Sequence, residues 1–157
     1  MPDDPPAGRP PPIHLRPSYL GVVWLGGALG TAARYLVGIA MSSHLVRTAT
    51  AGLGGVPVAT FMINIAGAFL LGALLGWLSK AGADRGPRRL VRLLVGTGFL
   101  GGFTTYSALA TDTVQLLQDG HTETAIGYAL GTLVLGAVAS FGGVLVAPGK
   151  RHPGSTS

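Results

Sequence analysis

The sequence has no cysteine and few charged residues for its length. Its 157 residues include no Cys, and only 11% of them are Asp, Glu, Lys or Arg. The absence of cysteine excludes disulfides, thiolate metal sites and a cysteine nucleophile. Soluble domains are about one quarter charged, whereas here hydrophobic residues make up 48% of the chain. This composition favours a membrane protein over a soluble helical bundle.

Four long apolar segments account for most of the chain. They run from about 19 to 43, 57 to 79, 90 to 117 and 124 to 147, and each exceeds the ~20 residues that cross a bilayer. We therefore predict an all-α integral membrane domain over residues 19–147 with four transmembrane helices. Residues 1–18, rich in proline, are predicted to be a disordered cytoplasmic tail, and residues 148–157 a second cytoplasmic tail.

The positive charges are distributed unequally between the two ends of the predicted spans. With four spans, both termini and the 80–92 loop share one side, which holds nine of the 11 Lys and Arg residues: Arg9, Arg16, Lys80, Arg85, Arg88, Arg89, Arg92, Lys150 and Arg151. Arg47 lies on the other side, and Arg34 lies inside the first span. The positive-inside rule places both termini in the cytoplasm. Cations at the ends of apolar runs do not predict nucleic-acid binding.

Glycine is abundant, with 26 residues. Small residues four apart let helix backbones approach closely in lipid. Four such pairs recur within the predicted spans: Gly26/Gly30, Gly72/Gly76, Gly98/Gly102 and Gly127/Gly131. They predict a compact bundle that is prone to form oligomers.

No carboxylate lies deep in a predicted span. Asp112 is near the outer end of the third segment, and Glu123 opens the fourth. Proton-coupled transporters normally place an ionisable group at depth, and no acid–base pair is available for an enzyme. We therefore predict no enzymatic activity. A small four-helix multidrug or cation exporter, the rival among transporters, would need a deep glutamate in the first span.

The polar residues that remain at depth are neutral. They are Asn64 in the second segment, Thr104, Thr105, Tyr106 and Ser107 in the third, and Tyr128, Thr132 and Ser140 in the fourth. Neutral OH and NH donors suit an anion that binds weakly and leaves again. Hydrogen bonding between helices explains the same residues equally well.

The decamer GFLGGFTTYS, residues 98–107, interrupts the third segment. We expect Gly101-Gly102 followed by Thr104-Thr105 to break the helix mid-membrane. Non-helical backbone at that depth is tolerated only where it is buried in protein or lines water. The carbonyl oxygens freed by such a break are ligands for a hard cation such as sodium. The decamer therefore predicts a broken helix that binds an ion or lines an ion path.

Three motifs together resemble those of the fluoride channels of the Fluc, or CrcB, family. They are GFLGGFTTYS, GGALGTAARY at residues 26–35 and TFMINIAGAFLLG at residues 60–72. The resemblance extends from residue 19 to about residue 147, in the same order along the chain. It implies antiparallel dimers of four-helix subunits with two pores, and passive export of cytoplasmic fluoride that lowers its toxicity.

The resemblance also implies roles for individual residues. Backbone carbonyls of Gly101 and Thr104 would bind a structural sodium ion that is not transported. Arg34 would lie at a vestibule, unless its side chain extends to the interface instead. The fluoride path would comprise Asn64, Thr105, Tyr106, Ser107, Leu109, Tyr128 and Thr132.

The chain departs from the family pattern in two ways. Tyr106 and Leu109 stand where two phenylalanines are usual, and leucine has no ring edge to offer an anion. The charge bias should also insert the chain in one orientation, although the family dimer needs an inverted subunit. We therefore hypothesise a heterodimer with a paralogue of opposite bias. The alternatives are a homodimer formed with a minority of inverted chains, and a non-conducting structural subunit that supports an active partner.

Overall fold

Helices make up nearly all of the described chain. The computed structural model describes residues 17–42 and 55–148, so the tails predicted at both ends lie almost wholly outside it. Four stretches are long and apolar enough to cross a membrane, which confirms the predicted all-helical, four-span architecture. The helices are α1 (Pro17–Met41), α2 (Val58–Ala81), α3 (Pro87–Val91, π-helical Arg92–Leu100 and Gly101–Phe103), α4 (Tyr106–Gln118) and α5 (Thr122–Val146).

The surface of the bundle is apolar. Trp24 on α1 is 75% exposed, and Phe141 and Leu145 on α5 are also exposed. Helices that are hydrophobic on every side belong either inside a large core or within a membrane. In a single chain with so few buried side chains, these residues face lipid or another subunit.

Glycines bring α1 and α3 into backbone contact. A Cβ at Gly26 would collide with the carbonyl oxygen of Leu94, and one at Gly30 with the carbonyl oxygen of Phe99. A Cβ at Gly98 or Gly102 would likewise overlap backbone atoms of α1. The predicted close packing at these two pairs is confirmed.

A second glycine contact joins α2 to α5. Gly72 packs against the Ser140 carbonyl, Gly76 against Val144, and Gly143 of α5 against the Phe69 carbonyl.

The fourth predicted pair, Gly127 and Gly131, makes no such contact within the described chain. A Cβ at Gly127 or Gly131 would meet no atom of the described chain within 4 Å.

The first half of the third span contains a π-helical segment, Arg92–Leu100, that the sequence did not predict. π-Helical turns are rare and are often found at functional sites. The carbonyl oxygens of Leu94 and Phe99, which contact α1, belong to this segment. Its backbone therefore forms part of the α1–α3 interface, directly before the helix break.

Two extended residues separate α3 from α4. Thr104 has φ/ψ angles of −74°/160° and Thr105 of −150°/116°. The predicted break in the third span is confirmed. Gly101 and Gly102 nevertheless remain helical, and Gly102 lies against the Gly27 carbonyl of α1. The threonines interrupt the helix, and Gly102 permits close packing beside the interruption.

We predict that Gly30→Ala destabilises the bundle, whereas Gly38→Ala on the same helix does not. The new methyl group at position 30 would overlap the Phe99 carbonyl, while position 38 has no atom within 4 Å. Overpacking costs ~1–3 kcal/mol, and Gly→Ala in an open helix position is neutral or stabilising. Thermal melting in detergent, followed by circular dichroism, measures the difference. Equal melting temperatures for the two variants would contradict the assigned α1–α3 contact.

Candidate ion site at the break in the third span

The Asn64 side chain of α2 pairs with the backbone of Thr105 at the break. Its Nδ2 donates to the Thr105 carbonyl at 3.0 Å, and its Oδ1 accepts from the Thr105 N–H at 2.8 Å. A carboxamide has the same donor and acceptor groups as a peptide unit. The pair therefore satisfies both polar groups of the unwound Thr105 and fixes the break against α2.

The side-chain hydrogen bonds at the break leave two carbonyls of the third span without their helical donors. In a continuous helix the Thr105 N–H would donate to the Gly101 carbonyl, but here it donates to Asn64. The Ala108 N–H would likewise donate to the Thr104 carbonyl, but it donates to the Thr105 hydroxyl at 3.1 Å. The carbonyls of Gly101 and Thr104 thus both lose their helical donors.

The threonine hydroxyls stabilise the two helix ends that the break creates. Thr104 Oγ1 donates to the Leu100 carbonyl at 2.9 Å, at the end of α3. Thr105 is the N-cap residue of α4, and its Oγ1 also lies 3.2 Å from the Ser107 hydroxyl. Thr, Ser, Asp and Asn are the preferred N-cap residues. The Thr-Thr pair therefore ends one helix and begins the next.

Residues that flank the break are exposed, while Thr105 itself is buried. Gly101 is exposed, and a Cβ there would meet no atom within 4 Å. Tyr106 is 78% exposed and the neighbouring Ser107 is exposed too. Unwound backbone at membrane depth has to be covered by protein or to face water. This surface is therefore where a second subunit or a water-filled path would meet the chain.

A cavity of about 280 Å³ lies beside the break. It brings together six of the residues predicted from the sequence, together with two neighbours on α5: the lining is Asn64, Thr104, Thr105, Tyr106, Leu109, Thr132, Leu133 and Gly136. Gly101, Ser107, Tyr128 and Arg34 do not line it. Leu133 was not predicted, since no polar signal marks it. Gly136 stands one turn after Thr132, where a hydroxyl would continue the row.

The hydroxyls of α5 are engaged within the chain. Thr132 Oγ1 donates to the Tyr128 carbonyl at 2.6 Å, and the Tyr128 hydroxyl donates to Asp112 Oδ2 at 3.1 Å. An anion at Thr132 would have to draw the hydroxyl hydrogen away from its own helix. The sequence does not predict the contact between Asp112 and Tyr128. Asp112 lies beyond the break in the third span, which interrupts the helical periodicity that could have related it to the polar row.

Leu109 contributes an apolar wall to the cavity. It is 6% exposed and belongs to a core cluster with Leu116, Ala125 and Tyr128, against which Phe61 also packs. Leu109 thus lines the cavity and also packs α4 against α5. It supplies no ring edge there, whereas Tyr106 places a ring at the cavity and at the outer surface.

Cation ligands at this site would be backbone oxygens. Across residues 17–42 and 55–148, no group of three His, Asp or Glu side chains is placed to hold a metal. Carbonyl oxygens are suitable ligands for hard cations, and the Gly101 and Thr104 carbonyls have lost their helical donors.

Arg34, which the family resemblance assigns to a vestibule, is half-buried on α1 and does not line the cavity at the break.

The geometry defines a small multi-pass membrane protein with a broken span and a neutral polar cavity, an arrangement typical of ion pathways. The profile of the family described as "CrcB-like protein, Camphor Resistance (CrcB)" matches residues 21–144. The chain belongs to the CrcB family.

Curated relatives resemble the chain over most of its length. "Fluoride-specific ion channel FluC 2" of Leifsonia xyli subsp. xyli is 46% identical over 133 residues, which is 85% of this chain and 86% of that protein. "Fluoride-specific ion channel FluC 1" of Cutibacterium acnes is 43% identical, over 82% of this chain and 85% of the relative. "Fluoride-specific ion channel FluC" of Gloeobacter violaceus is 44% identical, over 80% and 93% respectively.

We predict that Asn64→Ala speeds hydrogen exchange of the Thr105 amide by about tenfold or more. The substitution removes the acceptor of that N–H, and one hydrogen bond is worth ~1 kcal/mol or more when its partner is left buried and unpaired. Hydrogen–deuterium exchange with mass spectrometry would measure the change. Thr31→Ala serves as the control, because Thr31 Oγ1 contacts the nearby Gly102 carbonyl only at 3.5 Å. Unchanged exchange in Asn64→Ala would show that Asn64 does not hold the break.

Proposed function

We propose that the chain is a subunit of a fluoride-selective channel that lets fluoride leave the cytoplasm passively. The observation that carries the proposal is the cavity at the helix break, which gathers six predicted site residues in a member of the CrcB family. Relatives that cover most of the chain are named fluoride-specific ion channels. The exporter alternative lacks its required residue, since α1 contains no Asp or Glu.

The cavity offers the chemistry that a small anion needs. Asn64 uses one of its two N–H donors on Thr105, which leaves the second for an ion. The Thr132 hydroxyl would become a further donor once its hydrogen turns from the Tyr128 carbonyl to the ion, and the edge of the Tyr106 ring carries partial positive charge. Neutral donors bind an anion weakly enough for it to leave again.

A sodium ion at the break would complete this chemistry. Its ligands are the carbonyls of Gly101 and Thr104, whose helical donors pair elsewhere. The cation is structural and is not transported. Its charge offsets the desolvation of an anion at membrane depth, where low polarity strengthens electrostatic attraction.

The exposed residues that flank the break also support a dimeric channel. Gly101, Tyr106 and Ser107 lie on the outside of the chain, where an antiparallel partner would cover the unwound backbone and supply further carbonyls. The excess of nine Lys and Arg residues over one supports an orientation with both termini in the cytoplasm. The inverted partner is therefore a paralogue of opposite charge bias. The numbered names of two relatives from different organisms, FluC 1 and FluC 2, support the existence of such paralogues in the family.

A second candidate function follows from Leu109. Without a ring at this position, the chain's own path would be silent, and the chain would serve as a structural subunit of a conducting heterodimer. The same flux measurement separates the two functions.

We expect fluoride efflux from liposomes that hold this chain together with an opposite-bias paralogue, and little efflux from liposomes that hold the chain alone. A fluoride electrode records release, and chloride is the control anion. Strong efflux from the chain alone would refute the heterodimer in favour of a homodimer. Silence in both preparations of folded protein would refute the fluoride function.

Thr132→Val tests whether the chain's own cavity conducts. Hydrogen bonds to charged groups are worth ~1.5–3 kcal/mol, so we expect fluoride efflux from the active preparation to fall by about tenfold. Ser79→Ala is the matched control, because Ser79 also donates to a carbonyl of its own helix but lies outside the cavity. Unchanged efflux in Thr132→Val would favour the structural-subunit function.

We predict that sodium stabilises the assembled protein against heat. A ligand at about 100 times its Kd contributes ~2.7 kcal/mol, so the melting temperature should rise by several degrees in sodium chloride relative to choline chloride. Potassium chloride at the same concentration controls for ionic strength. Superimposable melting curves in all three salts would contradict the sodium site.

A further inference from the structure

We propose that the groove between α1 and α3 binds an acidic phospholipid. The groove has a volume of about 730 Å³ and lies away from the cavity at the helix break. Its lining residues are Tyr19, Leu20, Val23, Trp24, Asp84, Arg89, Arg92, Leu93 and Thr97. Most of them are apolar, and the charged ones are Asp84 in the loop before α3 and Arg89 and Arg92 in the first turns of α3.

The apolar wall suits an acyl chain. Leu20, Val23 and Trp24 lie on successive turns of α1, and Leu93 lies opposite on α3. Trp24 is 75% exposed, so the groove is open along the side of the bundle. Since these helices cross the bilayer, a groove on their outer side is accessible to lipid tails.

The charged end of the groove carries excess positive charge. Arg92 Nη2 lies 2.7 Å from Asp84 Oδ2, and Arg89 Nε lies 3.7 Å from the same oxygen. Two guanidinium groups therefore share one carboxylate. In addition, Arg92 Nε is buried and has no hydrogen-bond partner among the described residues. The end of the groove thus retains one net positive charge, and the Arg92 Nε would gain a partner only if the guanidinium turned toward the groove.

A phosphate diester fits this arrangement. Guanidinium groups bind phosphate oxygens through parallel N–H donors, and basic pockets between transmembrane helices bind anionic headgroups. A zwitterionic lipid would bring its own cation next to Arg89 and Arg92. A lipid with an uncharged headgroup alcohol, such as phosphatidylglycerol, leaves the phosphate charge free to neutralise the excess. The occupant is therefore an anionic glycerophospholipid, with its tail against Trp24.

Fluorescence quenching of Trp24 by lipids with brominated tails tests the proposal directly. The chain has two tryptophans, so Trp77→Phe in the full-length protein leaves Trp24 as the only emitter. The protein is reconstituted in phosphatidylcholine with increasing brominated phosphatidylglycerol or brominated phosphatidylcholine. We expect phosphatidylglycerol to be preferred about fivefold at Trp24, as one uncompensated basic group near the membrane surface predicts. Equal quenching by both lipids overturns the proposal. So does protection of Trp24 from both, which would mean that a second subunit covers the groove.

Two arginines on the same helical turn provide a matched pair of variants. Arg89 lines this groove and not the neighbouring one between the end of α2 and the start of α3, whereas Arg88 lines only the neighbouring one; Asp84 and Arg92 line both. Arg89→Gln should abolish the preference for phosphatidylglycerol over phosphatidylcholine, so that the two lipids quench Trp24 about equally. Arg88→Gln, with the same change in charge, should retain the preference. An equal loss in both variants would indicate general surface charge and would overturn the site. The measurement on the Trp77→Phe protein with both arginines intact decides the proposal even if either variant fails to fold.

Discussion

Two hydrogen bonds between the Asn64 side chain and the backbone N–H and carbonyl of Thr105 hold an unwound segment inside a membrane-spanning helix. Lipid offers no partner for a free N–H or carbonyl, so a break survives only where another group replaces the lost helical bonds. Asn64 replaces them for one residue. By accepting from Thr105 it also withdraws the donor of the Gly101 carbonyl. One side chain therefore permits the break and leaves the Gly101 carbonyl without its helical donor.

The arrangement depends on helices that pack backbone against backbone. Gly26 and Gly30 of α1 lie against carbonyls of the π-helical segment, and Gly72 and Gly143 join α2 to α5 in the same way. Such contacts leave few side chains to fill a core, and most large apolar residues face outward. The outer surfaces of the chain therefore remain available for contacts, including the open face of α5 around Gly127 and Gly131.

Hydropathy and motif spacing were sufficient to predict the four spans and the position of the break. Both depend on local sequence: the length of the apolar runs, and two threonines whose side chains compete for backbone hydrogen bonds. The partners of the polar groups could not be read in this way. Asn64 and Thr105 lie 41 residues apart, and only the packing of α2 against the break makes their pairing visible. The hydrogen bond from Tyr128 to Asp112 likewise joins two helices. The π-helix was not predicted because nothing in the sequence RLLVGTGFL distinguishes a π-helix from an α-helix.

The π-helical segment restricts how the sequence can change in length. It runs from Arg92 to Leu100, and the break follows only a few residues later. A π-helix closes i→i+5 hydrogen bonds and holds more residues per turn than an α-helix, so deleting one residue from this segment would either return a turn to α-helical geometry or rotate Thr105 away from Asn64. It would also move the carbonyls of Leu94 and Phe99 out of register with Gly26 and Gly30. Homologous chains should therefore tolerate insertions and deletions in the loops and tails, yet keep the number of residues between Arg92 and Thr105 constant.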